Sequence, residues 1–398
     1  MTDPISLPAQ FIDTPEALNT LVDGLSSAHE FAIDTEFHRE RTYFPRLALI
    51  QMAWDGGAAL IDPIGLDLAP LRVLFESDAR FVFHAFEQDL NILERAVGAV
   101  PHHLFDTQIA AGFLGYSRPG LATLLERSLS VTLPKADRLS DWTKRPLTSD
   151  QLRYAQADVA YLLQLSHHLI DALTSQGRLE WNEEETSIAA LRRFETHDPS
   201  TAWMRIKECR NLPQEARKVA KAIAEWREEE AIRCDVPVRF ILSDLAVATI
   251  SQAKPRTRDA LEHVRGVEAR RMNSSQIEAV LDRIARALGS DEVVTLPTPP
   301  YSLPRGATSV VTLCLTWLTA KANHEQLDPV IAGTRDDVGD LLYGSGGRLG
   351  KGWRKSLFGE DMIAIRDGQA ALRVNKKGAL ELVSLSNYDD RGSSSTRA

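Results

Sequence analysis

Three short segments in the first half of the chain contain residue types that bind hard metal cations. Asp34 and Glu36 are two residues apart in the apolar run 31–37, which is predicted to be a strand, so both carboxylates face the same side. Asp89 stands near the start of a predicted helix. Tyr154 and Asp158 are four residues apart in a later predicted helix, which places them on one helix face.

Each segment alone has a simpler explanation. Paired acids on a strand usually form its solvated face, an acid in the first helical turn is favoured by the helix dipole, and a Tyr-x-x-x-Asp spacing is common. In combination the segments suit the hydrolysis of a phosphodiester by two Mg²⁺ or Mn²⁺ ions, which needs several oxygen ligands around ions roughly 4 Å apart. Asp34, Glu36, Asp89 and Asp158 would supply the ligands, and Tyr154 would hold or deprotonate the attacking water.

The elements that must position these residues alternate between strand and helix patterns. Apolar runs predict strands near 31–37, 48–54, 58–62 and 80–85, with a hairpin turn at Asp55-Gly56-Gly57. Apolar residues at helical spacing predict helices near 68–76, 86–97, 105–114, 121–129 and 149–174. The pattern indicates an α/β domain with a mixed sheet and flanking helices.

The rest of the chain divides at proline-containing segments. We expect the first domain to cover residues 1–195 and a linker to cover 196–210. A helical domain follows at 211–289, and a stiff linker with four prolines spans 290–304. A second helical unit is predicted at 305–385, and the polar tail 386–398 is predicted to be disordered.

The composition is that of a globular protein with several domains. The chain has 398 residues, which is too long for one ordinary core, and 43% of them are hydrophobic. Residues 1–210 hold 19 Lys and Arg against 30 Asp and Glu, whereas residues 211–288 hold 14 against 12. The acidity therefore lies in the part that carries the candidate metal ligands, although a solvated acidic surface would explain most of these charges.

Cysteine usage and apolar patterning indicate a cytoplasmic protein. Cys209, Cys234 and Cys314 are widely separated and form neither a disulfide framework nor a metal-binding knuckle. The N-terminus lacks the basic, apolar pattern of a secretion signal, and the longest apolar stretch, 310–318, is too short to span a bilayer. We expect no membrane association and no obligate protein partner.

The three catalytic segments resemble the motifs of the DEDD exonucleases of the tyrosine subtype. Further runs outside these motifs are similar to the ribonuclease D family within that group, among them Arg41-Thr-Tyr-Phe-Pro45, Leu49-Ile-Gln51, Val82-Phe-His-Ala85 and Ser140-Asp-Trp142. Residues 211–288 resemble a helicase-and-RNase-D C-terminal (HRDC) domain, and 305–385 resemble a second, divergent HRDC-type unit. The resemblance implies a ribonuclease-H-like α/β exonuclease domain followed by two all-α HRDC-type domains.

Several further residues are candidates for binding the substrate. Phe37, Arg41 and Tyr43 would stack on or grip the terminal nucleotides, although packing within the loop is about equally consistent with the sequence. Trp142 and Arg145 precede the catalytic helix, and Arg145 would either hold a phosphate or pair with a neighbouring acid. His84 is more simply a hydrogen-bonded histidine near the end of the sheet than a metal ligand, because Mg²⁺ and Mn²⁺ prefer oxygen.

The resemblance implies a 3′→5′ exoribonuclease that trims tRNA precursors and other small structured RNAs and releases nucleoside 5′-monophosphates. Basic residues of the first helical domain would then follow the RNA backbone, although a solvated helix face explains each of them individually. One alternative is a DNA-directed exonuclease of the same fold acting in repair. Another is an RNA-binding module with an inactive nuclease fold, which the complete set of five catalytic residues disfavours.

Overall fold

The structure, a computed structural model, describes residues 7–133, 140–191, 198–268, 270, 272–296 and 301–385. The predicted disordered tail, together with parts of the two predicted linkers, lies outside these residues. No described helix is both long enough and apolar enough to cross a lipid bilayer.

A six-stranded mixed sheet forms the centre of the first domain, with the strand order β1-β4-β3-β2-β5-β6. The strands are β1 (Ala9–Ile12), β2 (Glu30–His38), β3 (Arg46–Trp54), β4 (Gly57–Ile61), β5 (Arg80–Phe83) and β6 (His103–Asp106). The strands β2, β3 and β4 are antiparallel neighbours, whereas β1 runs parallel to β4, and β5 runs parallel to both β2 and β6. The β2 strand, which carries two of the candidate ligands, therefore lies inside the sheet.

Helices cover both faces of this sheet. They are α1 (Pro15–Leu25), α2 (Arg72–Phe75), α3 (Glu87–Val97), α4 (Thr107–Gly112), α5 (Leu121–Leu129), α6 (Ser149–Ala160), α7 (Leu162–Ser175) and α8 (Leu179–Leu191), with a 3₁₀ turn at Ala69–Leu71. Phe31 and Ile33 of β2 pack with α1, α2 and α3, whereas Ala32 faces the core on the side of α7. The long helix predicted for 149–174 is two helices, because the backbone at Tyr161 leaves the helical region (φ −115°, ψ 0°).

The first helical domain has a core of its own. Its elements are a 3₁₀ helix (Pro199–Arg205), α9 (Lys207–Arg210), α10 (Gln214–Cys234), α11 (Val238–Ile241), α12 (Asp244–Ala253), α13 (Arg258–Glu262) and α14 (Ser274–Gly289). The predicted linker 196–210 differs from the structure, since Trp203, Ile206 and Cys209 are buried in this core. The domain therefore begins before residue 211.

The third domain ends in a hairpin that the all-helical prediction omitted. Its elements are α15 (Ala307–His324), α16 (Pro329–Ala332), α17 (Arg335–Tyr343), a 3₁₀ turn (Arg348–Gly350), α18 (Gly352–Arg354), a π-helical turn (Lys355–Gly359), α19 (Glu360–Arg366), β7 (Ala370–Val374) and β8 (Leu380–Ser384). The antiparallel strands β7 and β8 extend the core through the buried Ala370.

The third domain shares its hydrophobic core with the first domain. Cys314, Leu318 and Trp353 belong to the same buried cluster as Phe113 and Leu169. The two domains also meet at Gly112 of α4, where a Cβ atom would overlap the side chain of Ile331. The third domain and the nuclease domain therefore pack as one apolar unit.

Candidate active site

The β2 strand presents Asp34 and Glu36 to the helix α6. The antiparallel register pairs Asp34 with Gln51 and Glu36 with Leu49 of β3, and a bulge follows between Glu36 and Phe37. Because side chains alternate along a strand, both carboxylates lie on the face that α6 covers. Both side chains are half-buried.

Asp89 is held near β2 by the turn that leads into α3. Ala85 adopts a positive φ of 67° in this turn, which is a strained conformation for a residue other than glycine. The Asp106 carboxylate accepts a hydrogen bond of 2.8 Å from the backbone N–H of Phe86 and so fixes the start of the helix. The Thr35 hydroxyl donates to Asp89 Oδ1, which ties α3 to β2.

The helix α6 supplies the remaining two residues. A capping box formed by Thr148 and Gln151 fixes its N-terminus. Asp158 is buried, and the Tyr154 hydroxyl donates a hydrogen bond to it within the same helix face. The ring of Trp142 lies 5.9 Å from the Tyr154 ring, which restricts the orientation of the phenol.

The carboxylates repel one another. Burial, followed by repulsion from Asp89, Asp158 and Glu36, holds the pKa of Asp34 well above its usual range. Burial, followed by repulsion from Asp158 and Asp89, raises the pKa of Glu36 to about 8. Burial raises the pKa of Asp89 to about 6. The structure thus brings the four predicted carboxylates into one electrostatic cluster, in which the charged forms are costly.

Burial and the carboxylates also affect Tyr154. Burial first, and then the charges of Asp158 and Glu36, raise the pKa of its hydroxyl above the usual value for tyrosine. The phenol therefore stays protonated at neutral pH in the arrangement that the structure shows, and it can donate a hydrogen bond but is a poor proton acceptor.

The donor set suits a hard divalent cation, since carboxylate oxygens are the preferred ligands of Mg²⁺ and Mn²⁺. A cation would also offset the repulsion that raises the pKa values of Asp34 and Glu36. Within the described part of the chain, however, no three Asp, Glu, His or Cys side chains already form a closed set of metal ligands. The carboxylates interact through their charges and would have to draw closer to coordinate an ion together.

Two of the candidate substrate-binding residues, Arg145 and Trp142, are engaged within the protein. All five N–H groups of Arg145 are engaged, two by Asp62 and the others by the backbone carbonyls of Ala48, Trp142 and Lys144. Of the two alternatives for Arg145, the structure therefore has the ion pair with a neighbouring acid. Trp142 is buried in a small core cluster beside Tyr154 rather than open to a base.

His84 lies near the end of the sheet, and both of its ring nitrogens have partners. They lie 2.9 Å from Thr107 Oγ1 and 3.0 Å from the carbonyl oxygen of Pro119. Burial lowers the pKa of His84, so the neutral imidazole is favoured. These contacts agree with the interpretation that His84 is a hydrogen-bonded structural residue and not a metal ligand.

The loop after β2 carries the other three candidates in different environments. Phe37 is half-buried at the end of the strand, and Arg41 is exposed. Tyr43 is not open to solvent at its hydroxyl, which donates a hydrogen bond of 2.6 Å to Glu228 of the first helical domain. Among these three, Arg41 is the residue that the structure leaves accessible to a phosphate.

Sequence reasoning missed a buried amide beside Asp34, on the neighbouring strand β3. Gln51 is fully buried, and neither its Oε1 nor its Nε2 has a hydrogen-bond partner among the described residues. It pairs directly with Asp34 across β2 and β3. A glutamine inside the apolar run 48–54 was the available sign, because a central strand rarely buries an amide without a reason.

Comparison with protein families identifies two parts of the chain. Residues 9–174 match the model of a 3′–5′ exonuclease family, and residues 216–284 match the model of the HRDC domain. Ribonuclease D of Acidiphilium cryptum is 36% identical over 369 residues, which cover 91% of this chain and 94% of that protein. Ribonuclease D of Zymomonas mobilis is 35% identical, with 92% of this chain and 96% of that protein covered.

Solved structures give the same result for the fold. The crystal structure of Escherichia coli RNase D, described as an exoribonuclease involved in structured RNA processing, superposes with a TM-score of 0.80 at 28% identity. The match covers 91% of this chain and 99% of that chain. The catalytic core of RRP6 from Trypanosoma brucei superposes with a TM-score of 0.58 at 25% identity, covering 72% and 82% of the two chains.

Proposed function

The chain belongs to the ribonuclease D family and is a 3′–5′ exoribonuclease, and from that premise we propose that Asp34, Glu36, Asp89 and Asp158 hold its catalytic metal ions. Membership of this family carries dependence on a divalent metal ion. The observation that supports the four ligands is their mutual repulsion across β2, α3 and α6, which raises the pKa of Asp34 and Glu36. Such an arrangement is stable as a set of charged groups only with a cation between them.

Two Mg²⁺ or Mn²⁺ ions, when bound, would activate the attacking water and stabilise the leaving 3′ oxygen. Asp34 and Glu36 project from a strand in the interior of the sheet, which makes them the rigid part of the ligand set. Asp158 comes from α6 and Asp89 from α3, so the three elements must keep their relative positions for the ligands to converge. The capped N-terminus of α6 and the Thr35–Asp89 hydrogen bond serve that purpose.

Tyr154 orients the attacking water as a neutral phenol in this proposal. Its hydroxyl already donates to Asp158, and its raised pKa disfavours the phenolate. The packing of Trp142 on the ring limits its rotation. Of the two roles open to Tyr154, holding the water and deprotonating it, the environment favours the first.

The substrates we propose are the 3′ ends of tRNA precursors and other small structured RNAs, with nucleoside 5′-monophosphates as products. The E. coli relative acts in structured RNA processing, and the match to it spans 91% of this chain, including both helical domains. The first helical domain adds basic residues to an otherwise acidic protein, with 14 Lys and Arg against 12 Asp and Glu in 211–288. That balance favours a contribution to RNA affinity through phosphate contacts.

The decisive assay compares matched RNA and DNA oligonucleotides with a recessed or a single-stranded 3′ end in Mg²⁺. We expect stepwise shortening of the RNA from its 3′ end and release of 5′-monophosphates, detected by chromatography. Faster degradation of the DNA would instead favour the repair exonuclease. Binding of RNA without any product would favour the inactive binding module.

A further inference from the structure

The loop 39–45, which follows β2, is anchored to the first helical domain by two carboxylates, one within α10 and one directly after it. Tyr43 Oη donates to Glu228 Oε1 at 2.6 Å, and Arg205 Nη2 lies 2.9 Å from Glu228 Oε2. At the C-terminal end of α10, one oxygen of Asp235 accepts from the backbone N–H groups of Tyr43 and Phe44, at 3.1 and 3.2 Å. The two carboxylates therefore hold both the side chain and the backbone of this loop.

The geometry of these contacts is specific. Glu228 is only 2% exposed although it is charged, so it depends on both of its partners. Asp235 lies just after the last residue of α10, in the left-handed region at φ 48°, which turns its carboxylate away from the helix and toward the loop. A conformation of this kind in a residue other than glycine is retained where neighbouring contacts determine it.

The same loop also contacts the helix that carries Asp89. The guanidinium of Arg95 on α3 lies 3.4 Å from the centre of the Phe44 ring, and the Tyr43 and Phe44 rings pack edge to face. The loop is thus joined at one end to β2, with Asp34 and Glu36, and through Phe44 to α3. The position of the loop is therefore set on one side by the first helical domain and on the other by β2 and α3, which carry candidate metal ligands.

We propose that Glu228 and Asp235 are positioning residues of the nuclease site, which hold the loop 39–45 so that Arg41 meets the phosphates at the RNA 3′ end. Arg41 is exposed and makes no hydrogen bond or ion pair with another described residue, so its guanidinium can bind a phosphate. A scissile phosphate displaced by about 1 Å from the metal ions can cost roughly 10²-fold in rate. On this basis the helical domain contributes to the reaction itself as well as to RNA affinity, an inference that rests on the proposed function.

The test uses the full chain and a short single-stranded RNA in Mg²⁺, at a temperature at which circular dichroism shows every variant to be folded. Glu228→Gln and Tyr43→Phe are each expected to lower kcat/KM by about 10-fold. The double variant should show little further loss, because the two substitutions break the same contact. Glu229→Gln is the matched control, since Glu229 lies next to Glu228 and pairs with Arg283 instead; its kcat/KM should equal that of the wild type.

A role in stability alone would not couple Glu228 to Arg41, because the two residues do not touch. Arg41→Ala is expected to raise KM in the wild type and to have a clearly smaller effect in the Glu228→Gln background. Equal effects of Arg41→Ala in both backgrounds, or wild-type kcat/KM for Glu228→Gln and Tyr43→Phe, would overturn the positioning role. Asp158→Asn in the same assay separates this result from a failure of the proposed site, since its full activity would reject the site whatever the loop variants do.

Discussion

Two groups of buried or half-buried carboxylates in this molecule differ in whether a basic side chain neutralises them. Asp62, Glu185 and Glu228 each have an arginine partner, which is Arg145, Arg354 and Arg205 respectively. In the candidate active site, among the residues that the structure describes, Asp34, Glu36 and Asp89 have no Lys, Arg or His within ion-pair distance, and their pKa values are raised. The first group joins parts of the fold, and the second group forms the proposed metal site.

The arginine-paired acids hold parts of the fold in position, whereas the unpaired acids are the proposed ligands of the metal ions. Glu185 of α8 and Arg354 of α18 join the first domain to the third, and Glu228 joins the first helical domain to the nuclease loop. Removing one partner of such a pair leaves a buried charge alone, which is strongly destabilising. Removing one of the carboxylates Asp34, Glu36, Asp89 or Asp158 relieves repulsion instead. We therefore expect such a substitution to leave the fold intact while it abolishes the reaction.

The largest expected effect on stability comes from Glu185→Gln. This substitution removes the ion-pair partner of the Arg354 guanidinium, which is 2% exposed, and it should lower the free energy of unfolding by about 3–5 kcal/mol. Urea denaturation measures the loss. Glu183→Gln on the exposed face of the same helix is the control and should change stability by less than about 0.5 kcal/mol. A Glu185 variant as stable as the control would remove the distinction between the two groups.

The next effect is on rate and concerns Tyr154→Phe. The loss of the hydroxyl that orients the water should lower kcat by roughly 10²–10⁴-fold. The affinity for RNA, measured by fluorescence anisotropy in Ca²⁺, should stay near that of the wild type because the phenol acts on the water. An unchanged kcat with weaker RNA binding would make Tyr154 a binding residue.

The pH dependence of stability distinguishes the unpaired acids from the arginine-paired acids. Since the folded-state pKa of Glu36 is about 8 and its usual value is 4.5, the folded protein binds the proton more tightly than the unfolded chain. In the metal-free protein, Glu36 therefore contributes stability that is fully present below pH 4.5. This contribution is lost as the pH rises toward about 8. We expect the wild type and Glu36→Gln to have similar melting temperatures near pH 5. Near pH 8.5 the variant should have the higher melting temperature.

Added Mg²⁺ or Mn²⁺ should remove most of that difference, because the cation replaces the proton as the neutralising charge. Calorimetry in buffers of different ionisation enthalpy should detect proton release on metal binding near pH 7. A pH-independent difference between the two proteins, with no proton release, would contradict the raised pKa of Glu36.

The smallest expected effect extends the comparison from charges to amides. Gln51→Leu removes two buried polar atoms without partners, so the metal-free protein should gain about 1 kcal/mol of stability. Gln108→Leu is the matched case with a partner, since Gln108 Nε2 donates to the carbonyl oxygen of Pro119 at 3.1 Å. It should lose about 1 kcal/mol, as judged by urea denaturation. Destabilisation by both substitutions would show that Gln51 has a partner in solution.

Local patterns predicted the parts of the fold that depend on local sequence. The strands β2, β3, β4 and β5 and the helix α3 were confirmed, because their apolar periodicity is long or bounded by clear turns. The strand β1 was not predicted, since three of its four residues are exposed and it lacks the continuous apolar run of β5, and β6 was taken as the start of a helix. The break between α6 and α7 was missed because neither glycine nor proline marks Tyr161.

The sequence could not predict the contacts that the site residues make with residues distant in the chain. The five catalytic candidates could be named because each belongs to a short motif, and they remain predictions until they are tested. The partners of Tyr43 and Arg145 could not be named, since Glu228 is 185 residues away from the first and Asp62 is 83 residues away from the second. Only the fold brings such pairs together, and they decide which candidates remain accessible to RNA.

The most direct measurement of the central claim is the activity and stability of Asp158→Asn beside Asp150→Asn. Both residues lie on α6, but Asp158 is buried in the carboxylate cluster and Asp150 is exposed in the first turn. With a 3′-labelled RNA in Mg²⁺, Asp158→Asn should lose nearly all release of nucleoside 5′-monophosphate while its metal-free melting temperature stays equal to that of the wild type or rises. Asp150→Asn should keep wild-type activity. Wild-type turnover by a folded Asp158→Asn protein would contradict the assignment of the carboxylate cluster as the metal site.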